Sequence, residues 1–90
     1  MNRRHRRTLE SIFARLTSGT VAWRDALALL KAFLGADIDE SRAGSRVGIL
    51  LHGIPVVMHK PHPSPMLDKG AVVALREYLQ QCGILPDEED

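Results

Sequence analysis

Between positions 45 and 62 the chain gathers Ser45, Arg46, His59, Lys60 and His62. An imidazole carries protons near neutral pH, and a guanidinium or ammonium beside it stabilises negative charge as it builds. These are the groups that cleavage of a phosphodiester uses. The plainer reading, solvated side chains at the end of a strand, stays open beside it. His59 and His62 also have the i, i+3 spacing of a metal pair. Zinc needs three or four protein ligands, and no cysteine or acid at motif spacing supplies the rest, so no metal is expected. A second candidate is the stretch Asp68-Lys69-Gly70. If it opens a helix, its backbone N–H groups and Lys69 could hold a phosphate, or it is an ordinary capped helix start. Four aromatic residues, counting Trp, Tyr and Phe, are too few for a base-stacking platform. A phosphate-binding glycine loop, a nucleophile elbow and a dinucleotide fingerprint are all missing from the sequence, so neither a cofactor nor a small-molecule ligand is expected.

The element that must position this group is a β-hairpin over residues 46–60. His52-Gly53 is a two-residue loop with glycine where positive φ is needed. With that loop tight, Leu51 opposes Ile54, Ile49 opposes Val56 and Val47 opposes Met58, all on one apolar face. Arg46 then falls opposite His59 on the other face, close enough for the two side chains to touch. A slip of one residue would expose the whole apolar set, so the register is strongly specified. Residues 36–41 predict a weak edge strand around Ile38, marked by Asp37, Asp39 and Glu40.

Helices flank this sheet. Trp23, Ala26, Leu27, Leu30, Phe33 and Leu34 form a wide apolar stripe closed by Gly35. Asp68 is the expected N-cap of a last helix over residues 69–82, with Val72, Leu75, Leu79 and Cys82 inward and Gly83 as its cap. Ile84 and Leu85 are expected to fold back onto the body. Ahead of these, Leu9, Ile12, Phe13 and Leu16 predict a further short helix with Thr8 as candidate N-cap. It reads as an arm docked loosely on the body, or as one that a partner orders.

Ninety residues make one domain, and an apolar share of 44% excludes disorder of the middle of the chain. A single cysteine, Cys82, excludes an intrachain disulfide and with it the disulfide-rich secreted class. No apolar run approaches the length of a membrane span. Arg15, Arg24 and Asp25 interrupt any signal-peptide core, so a cytoplasmic protein is expected. Charge is uneven: residues 1–31 hold seven Arg or Lys against two acids, while the tail adds four acids, Asp87, Glu88, Glu89 and Asp90. The division expected is a basic helical arm (1–22), a compact domain (23–85) and an acidic tail (86–90). The two charged ends suit an anionic partner for the arm and a solvated tail, or simply two frayed ends.

Taken in order, Trp23-Arg24-Asp25, Gly44-Ser45-Arg46-Val47, His59-Lys60-Pro61-His62-Pro63, Asp68-Lys69-Gly70 and the stretch closing on Gly83 resemble the HicA family of toxin–antitoxin mRNA interferases. The resemblance covers residues 23–85. It implies an α+β fold like the double-stranded-RNA-binding domain, α-β-β-β-α, here with an extra basic N-terminal helix. It also implies an endoribonuclease that works without metal and a HicB-type antitoxin that covers the active face. On that reading His59, Arg46 and His62 are the catalytic candidates, and Ser45, Arg46, Lys60 and Lys69 would bind RNA. Many family members carry a histidine, taken to be catalytic, where this chain has Arg46. Three readings follow: an interferase whose acid–base chemistry has moved across the hairpin to His59, an RNA binder that does not cut, and a module that binds the antitoxin.

Overall fold

Two positive backbone angles set the hairpin. His52 and Gly53 take φ of 52° and 80°, the pair of left-handed residues that a tight type I′ loop requires. The structure, a computed structural model, describes residues 3–15, 17, 21–41 and 44–86. Strands β2 (Arg46–Leu51) and β3 (Ile54–His59) pair antiparallel in the expected register, Leu51 with Ile54, Ile49 with Val56, Val47 with Met58 and Arg46 with His59. Val47, Ile49, Leu51 and Met58 are buried and Ile54 and Val56 pack against them. The Lys60 N–H donates to the Ser45 carbonyl at 2.8 Å, adding one pair beyond the strands. Counting from that bond, Arg46–His59 and Leu50–Pro55 are non-hydrogen-bonded pairs, the closer kind for side chains. Pro55 therefore turns its missing N–H to the open edge of β3, where it breaks no ladder bond.

Strand β1 (Asp37–Asp39) joins the other side of β2 antiparallel, giving the order β1-β2-β3. Its two aspartates are exposed and only Ile38 packs inward, as an edge strand can afford. Helices α1 (Arg3–Ile12), α2 (Trp23–Ala28) and α3 (Lys69–Gln81) supply the rest of the core. The order from α2 onward is α-β-β-β-α, with α1 as the extra helix. The outer sheet face, with Leu50 and Val57 exposed, carries no helix among the described residues.

Three local details depart from the pattern read in the sequence. The stripe from Trp23 does not stay α-helical: residues Leu29–Phe33 form a π-helical turn, and the Leu34 N–H reaches back five residues to the Leu29 carbonyl at 3.0 Å. Gly35, at φ 76°, ends it, as a glycine in the left-handed region should. Thr8 is not an N-cap but lies inside α1, its hydroxyl donating to the Arg4 carbonyl four residues back at 3.0 Å. Helix α1 is also no loosely docked arm. Leu9 and Ile12 are fully part of the core that Leu29, Leu75 and Leu79 form, and the core runs without a break across Trp23. Leu16, the break at residues 18–20 and the tail 87–90 lie outside the described residues.

The C-terminal end of α3 locks the hairpin loop. Gly83 (φ 84°) closes the helix, with the Gly83 N–H donating to the Gln80 carbonyl and the Ile84 N–H to the Leu79 carbonyl, a Schellman pair. Ile84 packs on the core, whereas Leu85 is exposed. His52 Nδ1 lies 2.7 Å from the Cys82 carbonyl, and the Tyr78 hydroxyl donates to the Ile54 carbonyl at 2.7 Å. Burial first, then the Cys82 thiol beside it, pushes the Tyr78 hydroxyl up to about 12. Because the folded pKa lies above the unfolded value, the contribution is fully present below about pH 10. It is lost as pH rises through 12. Unfolding measured from pH 9 to 12 should show this loss in the native chain and not in Tyr78→Phe. Tyr78 is the one tyrosine, so ultraviolet titration reads the same group directly.

Candidate active site

The open end of the hairpin meets the start of α3 across a short proline-rich loop. His59, Lys60 and His62 line a cleft of about 460 Å³ there, closed on the far side by Asp68, Ala71 and Ala74. All three cleft cations and imidazoles are exposed to solvent. The loop that carries them is fixed at both ends. On one side the Lys60–Ser45 hydrogen bond ties it to the sheet. On the other, the Trp23 N–H donates to the Pro65 carbonyl and the Leu67 N–H to the Val21 carbonyl, each at 2.9 Å, around an antiparallel bridge between Ala22 and Met66. The start of α2 is therefore a structural neighbour of the site, a contact that no periodicity in the sequence announces.

The candidate residues divide into three groups. His59, Lys60 and His62 share the cleft. Arg46 opens the adjoining strand directly opposite His59, and Ser45, just before that strand, is bonded through its carbonyl to Lys60. Arg46 and His59 are both exposed, and no hydrogen bond joins their side chains. Lys69 is exposed at the first position of α3 and lines none of the clefts described here. The Asp68 carboxylate accepts from the Ala71 N–H at 2.8 Å, so the helix start is an ordinary capped one. A carboxylate in that place takes the N–H that a phosphate would use and repels the phosphate as well. Among the described residues, no three His, Cys, Asp or Glu side chains come together to hold a metal ion.

Two further clefts lie elsewhere on the surface, one of them adjoining this one. The larger, about 560 Å³, shares Lys60 and Pro61 with it and is lined on its other walls by Trp23, Arg24, Glu40 and Met66. The smaller, about 320 Å³, runs between α1 and α2 and brings Arg4 and Arg7 of the basic helix beside Ser11 and Asp25. The larger is not legible in the sequence, since it joins segments far apart in the chain; its one sequence signal is the Trp23-Arg24 pair opening a helix. No helix among the described residues is long and apolar enough to cross a membrane. Comparison of the chain with protein-family models, with curated proteins and with solved structures gives no match.

Proposed function

We propose that this chain is a HicA-like toxin of a toxin–antitoxin pair, acting in the cytoplasm, which binds mRNA and cleaves it without metal and is neutralised by a HicB-type antitoxin. The observation that carries the reading is the strand pairing that sets Arg46 opposite His59, together with the cleft that His59 shares with Lys60 and His62. Without a metal to generate hydroxide, the nucleophile at hand in RNA is the neighbouring 2′-hydroxyl. His59 takes its proton as the 2′ oxygen bonds to phosphorus. The bond from phosphorus to the 5′ oxygen breaks, and His62 in its protonated form gives that oxygen a proton. Arg46 and Lys60 balance the charge on the phosphoryl oxygens between the two. The products are a 2′,3′-cyclic phosphate and a 5′-hydroxyl end.

The test is incubation of the purified chain with a mixed-sequence RNA in excess chelator. Cleavage that continues and leaves cyclic phosphate ends is the expected result; cleavage that stops on chelation would overturn the mechanism. A second reading, an RNA- or antitoxin-binding module without catalysis, has Arg46 in its favour, since a guanidinium cannot carry protons at neutral pH. It predicts salt-dependent RNA affinity with no products, each lost phosphate contact lowering the slope of log affinity against log salt by about 0.7–0.9.

A further inference from the structure

The cleft beside the candidate active site has walls and polar ends of different character. Trp23, Leu27, Pro61 and Met66 supply apolar surface, and the only charged groups on it besides Lys60 are Arg24 and Glu40. Opposite charges lining one cleft ordinarily pair with each other. Here they do not: neither the Arg24 nor the Glu40 side chain is engaged by another described residue. Both are nonetheless carried on fixed backbone. Arg24 follows Trp23, whose N–H is held by Pro65. Glu40 follows β1 and lies inside the turn in which the Asp39 carboxylate accepts from the Ser41 N–H at 3.0 Å. The result is a slot of about 560 Å³, within the range of small-ligand pockets, presenting donors at one position and acceptors at another.

From this we infer that the slot is a guanine-selective base site, with Arg24 and Glu40 as its specificity-determining residues. Guanine presents two acceptors, O6 and N7, that a guanidinium fork meets together, and two donors, N1–H and the exocyclic amine, that one carboxylate meets together. Adenine puts an amine where the fork needs an acceptor and a bare N1 where the carboxylate needs a donor. Uracil offers one partner to each charge, and cytosine sets its amine against the guanidinium. An unstacked base of single-stranded RNA, read on its edges between apolar walls, is the usual target of such a site. Lys60 lies on the wall common to both clefts, so a phosphate beside the bound guanosine reaches the cation that borders His59 and His62. The inference rests on the RNA reading for its biological substrate, but the base site is testable without it.

Trp23 is the chain's one tryptophan and lines the slot, so its fluorescence reports occupancy of the intact protein. Titration with GMP should quench or shift that emission at concentrations roughly tenfold or more below those at which AMP, CMP or UMP act, the discrimination of one bidentate pair. Glu40→Gln should erase the advantage of GMP over AMP, and Arg24→Gln should do the same. Both residues are exposed, so neither change threatens folding. Equal responses to the four nucleotides, or a GMP preference that survives Glu40→Gln, would overturn the inference. A salt-dependent RNA binder with four equal nucleotide responses keeps the proposed function and removes the base site. A GMP-selective response in a chain that neither binds nor cuts RNA keeps the base site and removes the proposed function.

Discussion

His59→Ala should lower RNA cleavage by a factor of about 10²–10⁴, the usual worth of a positioned general acid or base, without unfolding the protein. The reasoning has two halves. His59 is the imidazole that borders both parts of the proposed site: it lies opposite Arg46 on the sheet and lines the cleft with Lys60 and His62. No other candidate residue does both. On the structural side it is exposed at the end of an edge strand, and no other described residue bonds its side chain. Substitutions in such places usually change stability by less than about 0.5 kcal/mol. Single-turnover cleavage and urea unfolding on the same preparations separate the two halves. Full activity in His59→Ala would place the proton transfer elsewhere, while RNA affinity retained at full strength with cleavage lost is the expected pattern.

Arg76→Ala should be among the most destabilising single changes outside the apolar core, by about 2–4 kcal/mol from the loss of charge-assisted hydrogen bonds. Its Nε donates to the Ile12 carbonyl at 2.7 Å, and its Nη2 donates to the Ala14 carbonyl at 3.2 Å and to Thr17 Oγ1 at 2.9 Å. Ile12 is the last residue of α1, where carbonyls lack intrahelical partners and the helix dipole favours a cation; Ala14 and Thr17 belong to the segment that follows. Removing the guanidinium strips three bonds at once and leaves partly buried acceptors without donors. Arg76→Lys keeps the charge but not the planar fork, and should recover less than half of the loss. Chemical denaturation distinguishes the two variants, because an ion-pair-like attraction alone would leave Lys equivalent to Arg. A native stability of roughly 5–13 kcal/mol is expected for a chain this size, so either result is readily measured.

The hairpin could be read from the sequence residue by residue because its register has a local cause. A two-residue loop with glycine fixes which residue meets which, and the period of two then assigns each face. Asp68, Gly35 and Gly83 were legible for the same reason, since a cap acts within a few residues of itself. Partners chosen by tertiary contact were not. Periodicity marks Leu9 and Ile12 as one face of a helix but does not say that the face joins the main core. Arg76 looks like any solvated helix residue until the end of α1 is brought against it. His52 reads as a turn residue, and only the fold reveals that its ring reaches the last carbonyls of α3. The π-helical turn at Leu29–Phe33 has the composition of ordinary helix. At the site, the hairpin pairing of Arg46 and His59 was foreseeable, whereas the slot between Trp23 and Glu40 depends on a bridge between Ala22 and Met66 that nothing local encodes.

That bridge has a consequence for what counts as part of the site. The stretch carrying His62 is held by a backbone bond at Lys60 and again at Pro65, so it is a short span between two posts. Surface loops elsewhere absorb an added residue at a cost of tenths of a kcal/mol. Here an added residue falls between two fixed ends and shifts the imidazole relative to its cleft by up to the ~3.4 Å that one extended residue covers. Chain length between those two posts thus works as a ruler, and on the proposed function the spacing itself, independent of which side chains fill it, sets where His62 stands.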